Sequence, residues 1–281
     1  MNTVQIDGIG KGLYINFYLI GAGANGSHFF RSLCQDIRTY MDADSFHLFF
    51  DEILLIDGDI VEKKNLGNQL FDEEDVSKYK VHSLADRYGG HYHLNIKAYA
   101  DYIKDVAIIQ RLICPTAYDE SQIIFIPFVI AMVDNNKTRQ ILHELFMSDE
   151  TPNLLYLDAG VEAVSKDKDE TSGFGGQVVL GFKLDNQVIL EPVATVFPDV
   201  FEEDEIPMPG CGATTLSAPQ RATTNKFAAQ ISNNVVNNIL HNHTIYTHVI
   251  NFNAQVAGSR AQMISHEQVK AFTEAIEGMG L

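Results

Sequence analysis

Positive charge is scarce in this 281-residue chain: 20 Lys and Arg stand against 37 Asp and Glu, a formal net charge of −17. Phosphate backbones recruit Lys and Arg, so this balance argues against a nucleic-acid partner. The acidic surface suits solubility, or a partner with a basic face. Cysteine is rarer still. Cys34, Cys114 and Cys211 form no CxxC pair, which supports neither a disulfide framework nor a structural zinc. Long apolar runs are missing too: the longest, IIFIPFVIAMV over residues 123–133, is too short for a bilayer and contains Pro127. The opening MNTVQIDGIGKG has no charged n-region followed by an apolar h-region, so no secretory signal is read and a cytoplasmic location is expected. Internal repeats, low-complexity tracts and linkers strong enough to divide the chain are also lacking.

What is present is an apolar content of 46%, enough for a substantial core. GLYINFYLI over residues 12–20 reads as a buried strand that feeds the glycine loop GAGANG. The spacing after it predicts a helix over 25–38, with Phe29, Phe30, Leu33 and Ile37 on one side and Cys34 in its apolar surroundings. Further strands are predicted at 53–57, 93–100, 123–133 and 154–158, with helices at 73–88 and 135–146. Strands alternating with helices imply a Rossmann-like, doubly wound α/β fold with a mostly parallel sheet. Cys114, like Cys34, is expected in the core. The second half differs. Residues 161–176 and 202–215 are polar or Pro/Gly-rich loops, while 177–184 and 187–196 read as antiparallel strands around the turn Asp185–Asn186. A helix over 224–240, a strand pair within 248–264 and a closing helix complete an antiparallel extension of the sheet.

Gly21, Gly23 and Gly26 are spaced G-x-G-x-x-G between a strand and a helix. Such a loop permits a tight turn, close backbone approach to phosphate, and hard packing of the helix on its strand. Redox proteins of this type place an acid about 20 residues further on; here Asp57 is the first acid to end a strand, 31 positions after Gly26. A nicotinamide or flavin oxidoreductase is therefore the weaker reading, and no Tyr-x-x-x-Lys pair or hydride-handling His supports it. Three more segments follow in order: LIDGDIVEKKNLGNQLF over 55–71, Lys80 within DVSKYKVHSLADR, and MVDNNKTR over 132–139.

These motifs resemble those of the ThiF, MoeB and ubiquitin-activating-enzyme family, whose pattern runs Asp-x-Asp-x-Val-(Glu)-x-x-Asn-Leu-x-Arg-Gln, then Gly-x-x-Lys, then Asp-Asn-x-x-x-Arg. The match covers roughly the first half of the chain. The later segments GGQVVLG and TVFPDVF, with a downstream loop Cys, look more narrowly like the ThiF-related member of the PRTRC gene cassette, where a ubiquitin-like protein is expected to be encoded nearby. The resemblance implies one adenylation domain over 1–281, with a nucleotide-binding half (1–160) and a carrier-binding, Cys-loop half (161–281). It implies ATP-dependent adenylation of the C-terminal glycine of a ubiquitin-like or sulfur-carrier protein, and a homodimer. Asp57 would bind the ribose hydroxyls, Asn65 and Gln69 the phosphate region, Lys80 the α-phosphate, and Asp134 a Mg²⁺ ion. Asp59 is read as a support for the loop through backbone N–H groups.

Two departures stand out. Asn68 occupies the place of the family's Arg, and no Arg precedes Arg31, whereas relatives carry an N-terminal Arg that reaches into the partner's site. Either Arg139 or Arg221 substitutes, or adenylation is slowed or lost and the chain is a nucleotide-binding scaffold. Cys211, in PMPGCGATTLS, is either a thiol that accepts the activated acyl group or a small semi-buried loop side chain. His91, His93, His241, His243 and His248 lack cysteine or carboxylate companions at ligand spacing and read as ordinary surface or strand histidines.

Overall fold

The structure, a computed structural model, describes residues 1–41, 48–164, 171–202 and 221–280. β1 (Val4–Gln5), β2 (Gly12–Tyr14) and β3 (Phe17–Ile20) lead through the glycine loop into α1 (Ala24–Met41). β4 (Leu48–Phe49), β5 (Ile53–Ile56), α2 (Lys80–Tyr92), β6 (Ile96–Tyr99) and α3 (Val106–Leu112) follow. Next come β7 (Ile123–Phe125), β8 (Phe128–Ala131), α4 (Asn136–Met147), β9 (Leu154–Val161), β10 (Gly175–Leu184) and β11 (Gln187–Leu190). One-turn α5 (Val193–Val196), long α6 (Ala222–Asn242), β12 (Thr244–Ile245), β13 (Thr247–Asn253), β14 (Gly258–Met263) and α7 (His266–Gly278) complete the chain.

The main sheet has nine strands in the order β14-β13-β10-β9-β8-β3-β5-β6, with β11 on β10. From β9 to β6 all pairings are parallel, and from β9 to β14 all are antiparallel, as the sequence pattern implies. Alternate residues of the parallel strands enter different cores. Phe17, Leu19, Leu55, Phe128 and Leu157 face α1, α2, α6 and α7, whereas Tyr18, Ile20, Ile56, Val129 and Tyr156 face α3 and α4. Burial on both faces is why these strands read as unbroken apolar runs.

Local chemistry moves several predicted boundaries. The runs 12–20 and 123–133 are each split in two, into β2 with β3 and β7 with β8. Pro127 has no N–H for the ladder, and opposite it the Asn16 amide accepts the N–H groups of Asp51 and Glu52 at 3.0 and 3.3 Å. The helix predicted from Glu73 begins only at Lys80. Asp75 is drawn into a capping box with Asp72 and onto Arg87, and Ser77 takes φ 75°. β11 stops before Pro192 and gives way to α5. The turn residues Asp185 and Asn186 both have positive φ, 49° and 62°, as a type I′ hairpin requires. Cys34 lies in the core as expected, but Cys114 does not. It follows the end of α3, outside the packed stripe, and is exposed.

The chain leaves β3 through α1 to β5 and β6 on one side, then returns to β8 on the other. This reversal opens a crevice at the carboxyl ends of β3 and β8, the place where open α/β sheets bind ligands. Gly21 closes its floor at φ 94°, where an added Cβ would lie 2.6 Å from the carbonyl oxygen of Met132. A Cβ at Gly26 would fall inside the van der Waals shell of the Gly21 carbonyl. Gly26→Ala is therefore expected to destabilise the protein by about 2 kcal/mol or more, read as a lower urea midpoint at unchanged m. A variant of wild-type stability would contradict this packing.

Candidate functional site

The glycine loop is held by one carboxylate. Asp57, directly after β5, accepts the N–H of Ala22 through Oδ2 at 2.6 Å and that of Asp59 through Oδ1 at 2.8 Å. The bracing expected of Asp59 thus belongs to Asp57. Burial pushes the Asp57 carboxyl above its ordinary range, opposed by Lys80 and these two N–H groups. Gly23 is different from its companions: an added Cβ there would meet nothing within 4 Å, so the loop is open at that point. The first-turn N–H groups of α1, which have no intrahelical acceptors, point the same way.

Asp59 takes a second role that sequence reasoning missed. Its Oδ2 accepts from Lys80 Nζ at 2.8 Å, and its Oδ1 from the Tyr102 hydroxyl. Lys80, the first residue of α2, has a buried ammonium, and its N–H also bonds the Asp59 carbonyl at 2.9 Å. Burial pushes the Asp59 carboxyl up, but the Lys80 and Tyr102 hydrogen bonds outweigh it and hold the group below its ordinary value. The signal available in sequence was the repeat of the acid, Asp-x-Asp; nothing there named Tyr102.

Asn65 is buried, and its Oδ1 accepts the Glu62 N–H at 2.8 Å, closing the 3-10 turn Lys63–Gly67. Asn68 and Gln69 follow this turn, and the Leu70 N–H bonds Ser27 Oγ at 3.2 Å, which seats the segment on the first turn of α1. Among the described residues, Asn68 Oδ1, Gln69 Oε1 and Asn25 Oδ1 are buried without a hydrogen-bond partner. Buried polar atoms are nearly always satisfied, and an amide turned about its last torsion offers either NH2 or oxygen. Unmet amides beside an open glycine loop fit a polar ligand such as a nucleotide.

Asp134 is exposed just beyond β8, one residue before Asn135, whose side chain caps α4 by accepting the Thr138 N–H at 2.9 Å. Arg139 bonds both oxygens of buried Asp158 at 3.0–3.1 Å through Nε, while Nη2 donates to the Val133 carbonyl at 2.9 Å. It therefore clamps the loop that carries Asp134, and its charge is matched by Asp158 on β9. Arg221 donates to the Ser172 carbonyl at 3.0 Å and stacks on Phe174. Neither arginine is brought to Asn68 as a substitute cation. Asp158 had no signal in the sequence, because a strand acid paired across the sheet looks like any other.

Cys211 lies outside the described residues, as does most of the acidic run 202–205. No group of three or more His, Cys, Asp or Glu that could hold a metal occurs among the described residues. A single exposed carboxylate suits Mg²⁺ nonetheless, since that ion is commonly held by one or two carboxylates plus substrate phosphates. His248 is a buried structural histidine, bonded to the Glu191 carbonyl at 2.9 Å and to Gln268 at 3.2 Å. Among the described residues, no helix is long and apolar enough to cross a membrane.

Sheet, loop and crevice together define a Rossmann-like α/β protein with an open crevice at its topological switch point. The ThiF family profile matches residues 7–273, and the chain belongs to the ThiF family. A comparison with curated protein sequences gives no match. Among solved structures, the chain is similar to PaaA, with 17% identity and a TM-score of 0.56 over 89% of this chain and 64% of PaaA. It is similar to E. coli MccB solved with ATP, with 17% identity and a TM-score of 0.56 over 92% and 66% of the two chains. The E. coli MccB complex with MccA-N7isoASN gives 18% identity and a TM-score of 0.56 over 92% and 66%. The chain spans just under two thirds of these proteins, and at this identity the likeness is one of fold.

Two outcomes follow from the ion pairs. Arg139→Gln leaves Asp158 buried and unmatched and should cost about 3–5 kcal/mol in urea unfolding, with Arg139→Gln/Asp158→Asn recovering much of it. A depressed carboxyl contributes stability above its unfolded value, near pH 4, and loses it as pH falls through the folded value. The stability gap between wild type and Lys80→Met should therefore narrow as pH drops below about 4, as thermal melts across pH 3–7 would read.

Proposed function

We propose that this protein adenylates a carboxyl group of a protein or peptide with ATP. The observation that carries the reading is the crevice itself: an Asp57-braced glycine loop, buried Lys80 and the Asp134 loop, all following carboxyl ends of the parallel strands or packed against them. ThiF family membership supports the activity. The similar MccB structures, solved with ATP and with MccA-N7isoASN, support a nucleotide and a peptide or protein as the two reactants.

In the proposed reaction a carboxylate oxygen attacks the α-phosphorus, the bond from that phosphorus to the β-bridging oxygen breaks, and pyrophosphate leaves. Two anions must meet, so donors have to offset charge as it builds. The first turn of α1 and the loop at Gly21, Gly23 and Gly26 would hold phosphate. Asp57 would keep the loop in place while its remaining lone pairs face the ribose. Asn65, Asn68 and Gln69 would line the phosphate region, and Lys80 would swing its ammonium from Asp59 toward the α-phosphate. Mg²⁺, held by Asp134, would supply charge neutralisation at the departing pyrophosphate.

The finer reading is a glycine-terminated ubiquitin-like or sulfur-carrier protein as substrate, in a cytoplasmic homodimer of the PRTRC-associated type. Cys211 would then take the acyl group: its thiolate attacks the acyl carbon, and AMP leaves. A second reading, a nucleotide-binding scaffold without turnover, is favoured by Asn68 at the arginine position and by the engagement of Arg139 with Asp158.

ATP–pyrophosphate exchange separates them, measured on the full chain with and without a ubiquitin-like protein ending in glycine from the same genome. Carrier-dependent exchange that falls at least about 100-fold in Lys80→Ala supports adenylation. ATP binding with no exchange supports the scaffold. A reducible carrier conjugate that survives Cys211→Ala removes Cys211 from the mechanism.

A further inference from the structure

Outside the crevice, one cavity collects the basic side chains that this acidic chain has so few of. It has a volume of about 190 Å³ and lies between α1 and α6. His28, Arg31, Ser32 and Gln35 line it from α1, and Lys226 and Gln230 from α6. These positions are spaced i, i+3, i+4, i+7 on one helix and i, i+4 on the other, so each set forms one stripe. Every side chain named can donate a hydrogen bond, Ser32 donating to the His28 carbonyl at 3.3 Å and Gln230 to Asn234 at 2.9 Å, and among the described residues no carboxylate lines the cavity.

Among the described residues the charges there are uncompensated. Among the described residues, the lysines and arginines of the crevice and its surroundings are paired: Lys64 with Glu62, Lys80 with Asp59, Arg87 with Asp72 and Asp75, Arg139 with Asp158. Arg31 and Lys226 have no such partner among the described residues, although acids outnumber bases 37 to 20. The cost of this gathering is visible at His28. Burial, then Lys226, then Arg31 hold its imidazole below its ordinary value, against the hydrogen bond it donates to the Asn68 backbone carbonyl. Like charges left facing one another repel unless an anion lies between them.

We propose that His28, Arg31 and Lys226 form a binding pocket for a phosphoryl oxyanion, separate from the nucleotide crevice. A carboxylate offers two oxygens. A tetrahedral phosphate or pyrophosphate offers three or more, which matches two cations, an imidazole and two amides arranged around one small cavity. The anion is a free one, inorganic phosphate or pyrophosphate, and the two share the chemistry that the pocket recognises. The assignment does not need adenylation to occur, because it rests on the stripes of α1 and α6 that line this cavity, which adjoins the crevice where His28 bonds the Asn68 backbone.

The test is an NMR titration of the His28 imidazole in the full chain, with phosphate and pyrophosphate added separately. ATP binding is followed in parallel by calorimetry. An anion in the pocket should raise the His28 pKa by about half a unit or more, and the anion that saturates at lower concentration is the preferred one. Arg31→Gln/Lys226→Gln should weaken that anion at least about tenfold while ATP affinity stays within about twofold. The proposal is overturned by a His28 that responds to neither inorganic anion, or by a response that the double variant keeps. Loss of ATP binding in the double variant would also overturn it, because the two cations would then belong to the nucleotide crevice.

Discussion

The crevice depends on the two hydrogen bonds that the Asp57 carboxylate accepts from Ala22 and Asp59. They tie the loop after β3 to the end of β5, two strands already paired in parallel register from Phe17 opposite Ile53 to Ile20 opposite Ile56. With that brace in place, Gly21 can turn at positive φ against the Met132 carbonyl, and α1 can start close beneath the loop. Remove it and the loop has neither a fixed height above the sheet nor a fixed direction for its N–H groups. The brace also imposes an electrostatic condition. A buried carboxylate is costly, and Lys80 is the cation that offsets both Asp57 and Asp59.

Charge in the site is therefore arranged in two tiers. Arg139 and Asp158 neutralise each other behind the Asp134 loop and fix its position, and neither is available for chemistry. Lys80 and Asp59 form a pair that is only partly withdrawn from water, so the ammonium can be exchanged toward an incoming anion. Amide groups at Asn25, Asn68 and Gln69 replace the arginine that the family pattern contains, with donors and acceptors but no net charge. In the proposed function such a site would hold phosphate while stabilising developing negative charge less strongly, which is why turnover and not binding discriminates the two functional readings.

Much of this was legible along the chain. Apolar runs covered on both faces announced a parallel sheet, and the strand–glycine–helix order located its ligand edge. Asp57, Lys80 and Asp134 were singled out by resemblance to the family pattern, and the fold sets each just beyond a strand or at the start of a helix. The failures have physical causes as well. Cys114 sits in an apolar stretch yet is exposed, because α3 ends before it and carries the apolar stripe no further. The loop brace expected of Asp59 falls to Asp57 because Asp59 is drawn instead onto Tyr102 and onto a lysine 21 positions away.

The sequence by itself determined the alternation of the main strands and helices and the parallel and antiparallel parts of the sheet, since these follow from periodicity and turn chemistry within a few residues. Only the tertiary structure decided the pairings: Lys80 with Asp59 and Tyr102, Arg139 with Asp158, and the gathering of Arg31 and Lys226 around His28. Each joins side chains from different elements. Their energies depend on distance, burial and orientation, quantities that do not exist until the chain has packed.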